Sequence, residues 1–200
     1  ISRLIGLHDP AAPSEVIDAA EGLRSRAAVL VCVVLESAHW TPFDAHYVPD
    51  PQVGLSRTSE PTHYSAERSS ADRTGVCVEL PCDVGDATWG LSDEDLVRRV
   101  QAEVIEIGLP PLEPVLAAEV RRVPGVYPVY DHGYDDRLAA ALAHVDQREG
   151  LVTLGRQGLF AHDNTHHALA MSFAAASCLS GDGAFDASAW ESACVGFAEH

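Results

Sequence analysis

The sequence contains no lysine. Its thirteen basic residues are all arginines, set against thirty acidic ones among 200, for a formal net charge of −17. A field of that sign repels phosphate backbones and anionic lipid, and no local basic patch offsets it, so no nucleic-acid or membrane partner is expected. Long apolar runs are missing as well. The longest, Ala27–Leu35 (AAVLVCVVL), falls far short of the ~20 residues needed to cross a bilayer. The opening ISRLIGLHDP lacks the basic start and longer apolar stretch of a secretory signal. Five cysteines, odd in number and irregularly spaced, read as reduced core thiols of a cytoplasmic protein. Methionine occurs once, at Met171, and Ile1 begins in apolar sequence, so a segment is expected upstream or as a separate chain.

Hydrophobic residues at 46% and charged residues at 22% describe a chain that folds and buries a core. Pro13–Arg24 has apolar residues at helical spacing behind Ser14 as N-cap. Ala27–Glu36 is a β-branched run expected as a strand buried on both faces. Trp40–Ser70 is loop-rich, with short extended pieces around His46–Val48 and Leu55–Glu60. Gly75–Cys82 alternates as a strand that Pro81 ends or places at an edge. Ser92 opens a helix that Gly108 and Pro110 close, with three acidic residues in its first turn. Val115–Val123 reads as a strand, Asp135–Val145 as a helix, Leu151–Leu154 as a short strand, and Asn164–Leu179 and Asp186–Phe197 as helices. The fold class is α+β, with a mixed sheet and flanking helices.

The most informative stretch is Leu151–Ala176 (LVTLGRQGLFAHDNTHHALAMSFAAA). A strand delivers the chain to Gly155-Arg156-Gln157-Gly158, a polar turn follows, and a helix of small residues begins near Asn164. Glycines let main chain lie close to a ligand, and the free N–H groups of a helix start favour negative charge. The same pattern also serves as an ordinary strand-turn-helix.

These residues resemble the C-terminal flavin-binding segment of the FAD-dependent protoporphyrinogen oxidase and amine oxidase superfamily. Arg57-Thr58-Ser59-Glu60 with Ser65 is similar to that superfamily's substrate-domain strand, and Val126-Tyr127-Pro128-Val129-Tyr130 to the segment before its last helix. The resemblance implies that residues 1–150 are a substrate-domain-like region and that residues 151–200 are the C-terminal strand-turn-helix of an FAD-binding domain. It implies FAD as cofactor, with Gly155, Arg156 and Gly158 along its phosphate and ribityl part. Asn164, Thr165 and His166 would then face the flavin ring near N1 and O2. His166 stands where relatives often carry an acidic residue.

The superfamily's G-x-G-x-x-G turn is absent. The nearest string, Gly181-Asp182-Gly183-Ala184-Phe185-Asp186, lacks the third glycine. The dinucleotide-binding half is therefore expected upstream or in a partner chain. Absence of lysine points away from a typical amine oxidase toward the protoporphyrinogen oxidase and phytoene desaturase side. UDP-galactopyranose mutase, which also has a Gly-Arg motif, stays open as a flavin-dependent sugar mutase. The expected function is the C-terminal half of an FAD-dependent oxidoreductase acting on a small molecule by hydride transfer, or a non-catalytic subunit completing a two-chain flavoprotein.

His162 and His166, four apart, would share one helical face as the metal ligands of a zinc hydrolase, a lesser alternative, and no metal is assigned. Cys77 and Cys82 point to opposite faces of a strand and read as core thiols. Tyr127, Tyr130 and Tyr134 are a substrate wall or core packing, and Arg57 pairs with a substrate carboxylate or with Glu60. No catalytic residue is identified.

Overall fold

The computed structural model describes residues 1–64 and 71–198. They form two compact units, one of Ser25–Val126 and the other of Ile1–Arg24 with the chain from Tyr127 onward. The division differs from a cut at residue 150, because Ile1–Arg24 and residues 127–150 gather with the C-terminal helices.

The first unit is built on β1 (Ser25–Leu35) and β4 (Thr74–Cys82), paired antiparallel from Ala27 opposite Cys82 to Leu35 opposite Thr74. β2 (Ala45–Tyr47), β3 (Arg57–Ser59) and β5 (Val115–Pro128) complete the order β2-β3-β4-β1-β5. β3 pairs antiparallel with both β2 and β4. β5 runs beside β1 in the opposite sense. Glu36 N–H donates to Pro114 O at 3.3 Å at one end, and a Cβ on Gly125 would lie 3.8 Å from Ser25 Cβ at the other. The sheet expected to be mixed is therefore antiparallel wherever its pairing is described.

Alternation decides which face is buried. Val29, Val31, Val33 and Leu35 point one way and meet Leu80, Val78, Val76 and Thr74 directly across the ladder. α3 (Asp93–Glu106) covers this face with Leu96, Val100 and Val104, which recur every fourth residue and are fully buried. Leu30, Cys32 and Val34, on the opposite face, are only half-buried, so β1 is fully enclosed on one side rather than two. The α3 start is as the sequence indicates, with Ser92 Oγ accepting from Asp95 N at 3.1 Å. Pro81 is the last residue but one of β4 and stands where the β3 side of that strand is open, the edge placement that the sequence indicates. It lies inside β4 opposite Ala28, beyond Glu79 where β3 pairing stops, so its missing N–H leaves no β3 acceptor unfilled.

Two buried carboxylates fix the loops to this frame. Glu103 on α3 accepts from Leu55 N at 2.9 Å and from Arg99 Nε at 2.7 Å. Glu60, 1% exposed, accepts from Trp40 N at 3.0 Å, Thr41 N at 3.1 Å and Thr74 Oγ1 at 2.7 Å. Each satisfies main-chain groups that would otherwise be stranded away from water.

The second unit is helical: α1 (Ser2–Ile5), α2 (Ser14–Glu21), α4 (Tyr134–Asp146), α5 (Gly155–Leu159), α6 (Thr165–Ser177) and α7 (Ala187–Ala198). Ser14 is the first residue of α2 rather than its cap, a position taken by Pro13. Ile5, Ala12, Ala20, Ala141 and Val145 form a core between α1, α2 and α4. The expected strand at Leu151–Leu154 does not form, since no partner strand is paired with it, and the glycine segment expected to follow it is the five-residue helix α5. α6 is apolar on nearly every side, yet only Met171 is buried, with Leu169 53% and Phe173 72% exposed. No helix among the described residues is long and apolar enough to cross a membrane.

Leu96→Ala should lower the unfolding free energy by about 2–5 kcal/mol, read as a shifted urea midpoint with unchanged slope, because the cavity sits under the β1–β4 ladder. Cys32 and Cys77 face each other across that ladder with sulfurs 3.2 Å apart, and burial, then the neighbouring Cys32, pushes the Cys77 thiol up to about 12. Cys77 should therefore alkylate at least ~100-fold more slowly in the folded than in the urea-unfolded chain at pH 8, as followed by peptide mass spectrometry.

Candidate functional site

The residues singled out between 151 and 166 lie in the helical unit and are held largely by one another. Gly155 enters α5 with φ +69°, a left-handed value suited to glycine, and its N–H points at Met171 Sδ at 3.3 Å. Gly158 is required for packing: a Cβ there would meet Thr153 Cβ at 3.2 Å and its carbonyl carbon at 3.3 Å. α5 thus lies tightly against the extended residues before it. Both glycines are explained by the segment closing on itself.

Arg156 is fixed by the same fold. Its Nε donates to Asp163 O at 3.1 Å, a second guanidinium nitrogen donates to the same carbonyl, and the guanidinium lies 5.1 Å from the Tyr127 ring centre. The chain reverses at Phe160, whose φ of 53° is left-handed and whose buried ring packs 6.1 Å from Tyr130 and 6.3 Å from Tyr134. Tyr130 stacks on Tyr134 at 4.6 Å, and its hydroxyl accepts from His162 N at 3.1 Å. Burial pushes the Tyr130 phenol above its ordinary range, so it stays protonated and retains its O–H as a donor. The sequence reading treats the tyrosines as a group, and the structure brings Tyr127, Tyr130 and Tyr134 together with Phe160 and His162, which that reading does not include.

Asn164 is the N-cap of α6, and its N–H donates to His167 Nδ1 at 3.1 Å, the return half of a capping box. Thr165 and His166 follow as exposed residues in the first turn of this thirteen-residue helix. His162 lies before the cap rather than on α6, and its Nε2 is 2.9 Å from Pro128 O. His162 and His166 therefore do not share a helical face, and among the described residues they belong to no three-ligand cluster.

In the sheet unit, Arg57 does not pair with Glu60. Its Nη2 donates to Glu79 Oε2 at 2.7 Å, and its guanidinium lies 5.9 Å from the Tyr47 ring centre. Ser65, part of the same motif, lies outside the described residues. The half-buried sheet face carries an open groove of about 390 Å³ lined by Cys32, Val34, Cys77 and Ala117 with Thr62 and Glu119. Such a lining offers apolar packing with few orienting groups.

No protein-family model matches the sequence, and no curated protein does. Among solved structures the chain is similar to reduced UDP-galactopyranose mutase, at 15% identity and a TM-score of 0.66, over 81% of this chain and 35% of that one. It is also similar to a putative protoporphyrinogen oxidase from Exiguobacterium sp. 255-15, at 19% identity and a TM-score of 0.53, over 78% of this chain and 35% of that one. The chain spans about a third of the length of each. At these identities the likeness is one of fold.

A Cβ at Gly158 would require Thr153 to give by a few tenths of an ångström. Gly158→Ala should destabilise the chain by about 1–3 kcal/mol in the absence of any ligand, as a fall in Tm. A helical glycine facing open ligand space would instead gain roughly 0.5–1 kcal/mol on replacement by alanine.

Proposed function

We propose that this chain is the C-terminal half of an FAD-dependent oxidoreductase, comprising its substrate domain and the segment that returns to the cofactor. The observation that carries this reading is the extent of the fold likeness to UDP-galactopyranose mutase, four-fifths of the chain at a TM-score of 0.66. The G-R-x-G sequence at 155–158 supports it from an independent direction.

The residues present fit one edge of a flavin site. Thr165 and His166 are exposed at the positive end of α6, where main-chain N–H groups and the helix dipole stabilise negative charge. Arg156, clamped by Asp163 O, adds a fixed cation to the same segment. Bound FAD would supply the two-electron acceptor. The chain's own residues would orient a small substrate, exclude water with the Tyr127 and Tyr130 rings, and hold the phenol proton on Tyr130. Gly155 and Gly158 would shape the segment rather than touch the phosphates, given their packing on Thr153 and Ala168.

The remaining grip on the cofactor belongs to a dinucleotide-binding half outside these 200 residues, in the same polypeptide or in a partner. The uncovered apolar surface of α6 supports this, since a helix apolar on all sides is ordinarily enclosed. A second reading, a flavin-dependent sugar mutase, is favoured by the higher TM-score of the mutase, 0.66 against 0.53.

Isolation of the protein from its native source should yield a yellow assembly that releases FAD on denaturation and contains a dinucleotide-binding polypeptide, either fused to this chain or as a second band. The isolated 200 residues should retain little or no FAD. Arg156→Ala in the whole assembly should weaken FAD retention about 10-fold or more, with helix content unchanged. A colourless assembly would defeat the flavin reading. Anaerobic turnover separates the two chemistries, since an oxidoreductase leaves the flavin reduced and a mutase shows no net reduction.

A further inference from the structure

In the sheet unit, apart from the segment at 151–166, His39, Glu60 and His63 converge. We propose that these three side chains form a binding site for a divalent transition metal of the zinc class.

Glu60 is the fixed point. Pro61 opens a single 3-10 turn over Pro61–His63, and this turn places His63 three residues after Glu60 and on its side. His39 arrives from the connection after β1. The carboxylate, 1% exposed, is already held by two main-chain N–H groups and by the hydroxyls of Thr74 and Thr62, the last at 3.2 Å. It does not need the imidazoles for satisfaction. Every one of these groups donates to the carboxylate oxygens, the pattern of an ionised carboxylate that accepts only. Arg57 is committed to Glu79, and among the described residues the groups able to bring positive charge to Glu60 are the two histidines. A buried anion with no fixed cation is the environment in which a metal ion is most favoured.

The spacing agrees. His39 Nδ1 lies 3.3 Å from Glu60 Oε1, and His63 Nε2 lies 3.5 Å from Glu60 Oε2. Both are long for charge-assisted hydrogen bonds, which run at about 2.7–2.9 Å. They run to different carboxylate oxygens, Oε1 and Oε2, and each is close to the roughly 3.3–3.5 Å between two ligand atoms bound at ~2.0–2.1 Å to one tetrahedral ion. All three ligand atoms lie within 4.8 Å of one another. The imidazoles stack with centres 4.4 Å apart and planes 21° apart, which sets both rings beside the same carboxylate. A nitrogen-rich donor set with one carboxylate selects zinc-class ions over magnesium or calcium. The side chains of His39 and His63 are 34% and 21% exposed, so solvent reaches the fourth position.

The contacts that these nitrogens make in the metal-free protein have to change, among them that of His39 Nδ1 with Glu60 Oε1 at 3.3 Å. His63 Nε2 lies 3.0 Å from Thr41 O and donates to it in the metal-free protein. Coordination through Nε2 moves that proton to Nδ1 of the same neutral ring, which keeps its single N–H.

The test is titration of the EDTA-stripped full chain with Co²⁺, then Zn²⁺. One equivalent of Co²⁺ should produce visible absorption of tetrahedral intensity, Zn²⁺ should displace it, and Zn²⁺ should raise Tm. His39→Ala and His63→Ala, checked by circular dichroism, should each weaken binding by more than the roughly 10- to 100-fold that loss of an outer-shell partner costs. His162→Ala should leave it unchanged. Failure of the folded chain to take up one equivalent, or uptake that survives either histidine substitution, would overturn the site. Should a variant not fold, ¹⁵N-imidazole resonances of the native chain decide: shifts at His39 and His63 on adding Zn²⁺ support the site, and shifts confined to other histidines overturn it.

Discussion

The pairing of β1 with β4 is the constraint on which the rest of the sheet unit depends. It sets nine residues of each strand opposite one another and so decides that Val29, Val31, Val33 and Leu35 share a face with Val76, Val78 and Leu80. α3 has a single apolar stripe, and that face is the surface it covers. A slip of β4 by one residue would turn Cys77 and Glu79 toward α3 and put a carboxylate in the core, so register and helix packing enforce each other. The short β2 and β3 contribute little apolar area and are secured by side chains, with Glu60 and Glu103 accepting main-chain donors of the intervening loops.

Elements with strong periodicity were legible from residues alone. β1, β4 and α3 follow from β-branched alternation and from a capped helix with an acidic first turn. Positions governed by tertiary neighbours were not. Pro81 argues for an edge and stands at one, but that β3 stops short of it is a strand length not written locally. Leu151–Leu154 looks like a strand because its residues favour extension, yet a strand exists only with a partner, and none is supplied there. Gly155-Arg156-Gln157-Gly158 looks like a loop but closes a single helical turn, since Gly158 permits close approach to Thr153.

The candidate site was legible in composition and not in contacts. That Gly155, Arg156, Asn164 and the tyrosines belong to one neighbourhood is visible from their order in the chain. That Arg156 is held by the main-chain carbonyl of Asp163, or that Phe160 reverses direction with a left-handed backbone, is not, because neither leaves a trace in residue type. The His39–Glu60–His63 cluster escaped for a related reason. Its members are twenty-one and three residues apart, with no repeat or motif linking them, and only the fold of β3 beside β4 brings them together.

The open surface of α6 carries a colloidal consequence. A helix that exposes Leu169 and Phe173 is adhesive toward copies of itself, while a chain bearing −17 charges repels those copies at a distance. The two effects have different reach. Repulsion fades once salt shortens the screening length to a few ångströms, whereas apolar adhesion persists and is strengthened by sulfate or phosphate. Ionic strength is thus the variable that sets whether this polypeptide stays dispersed when it is handled by itself.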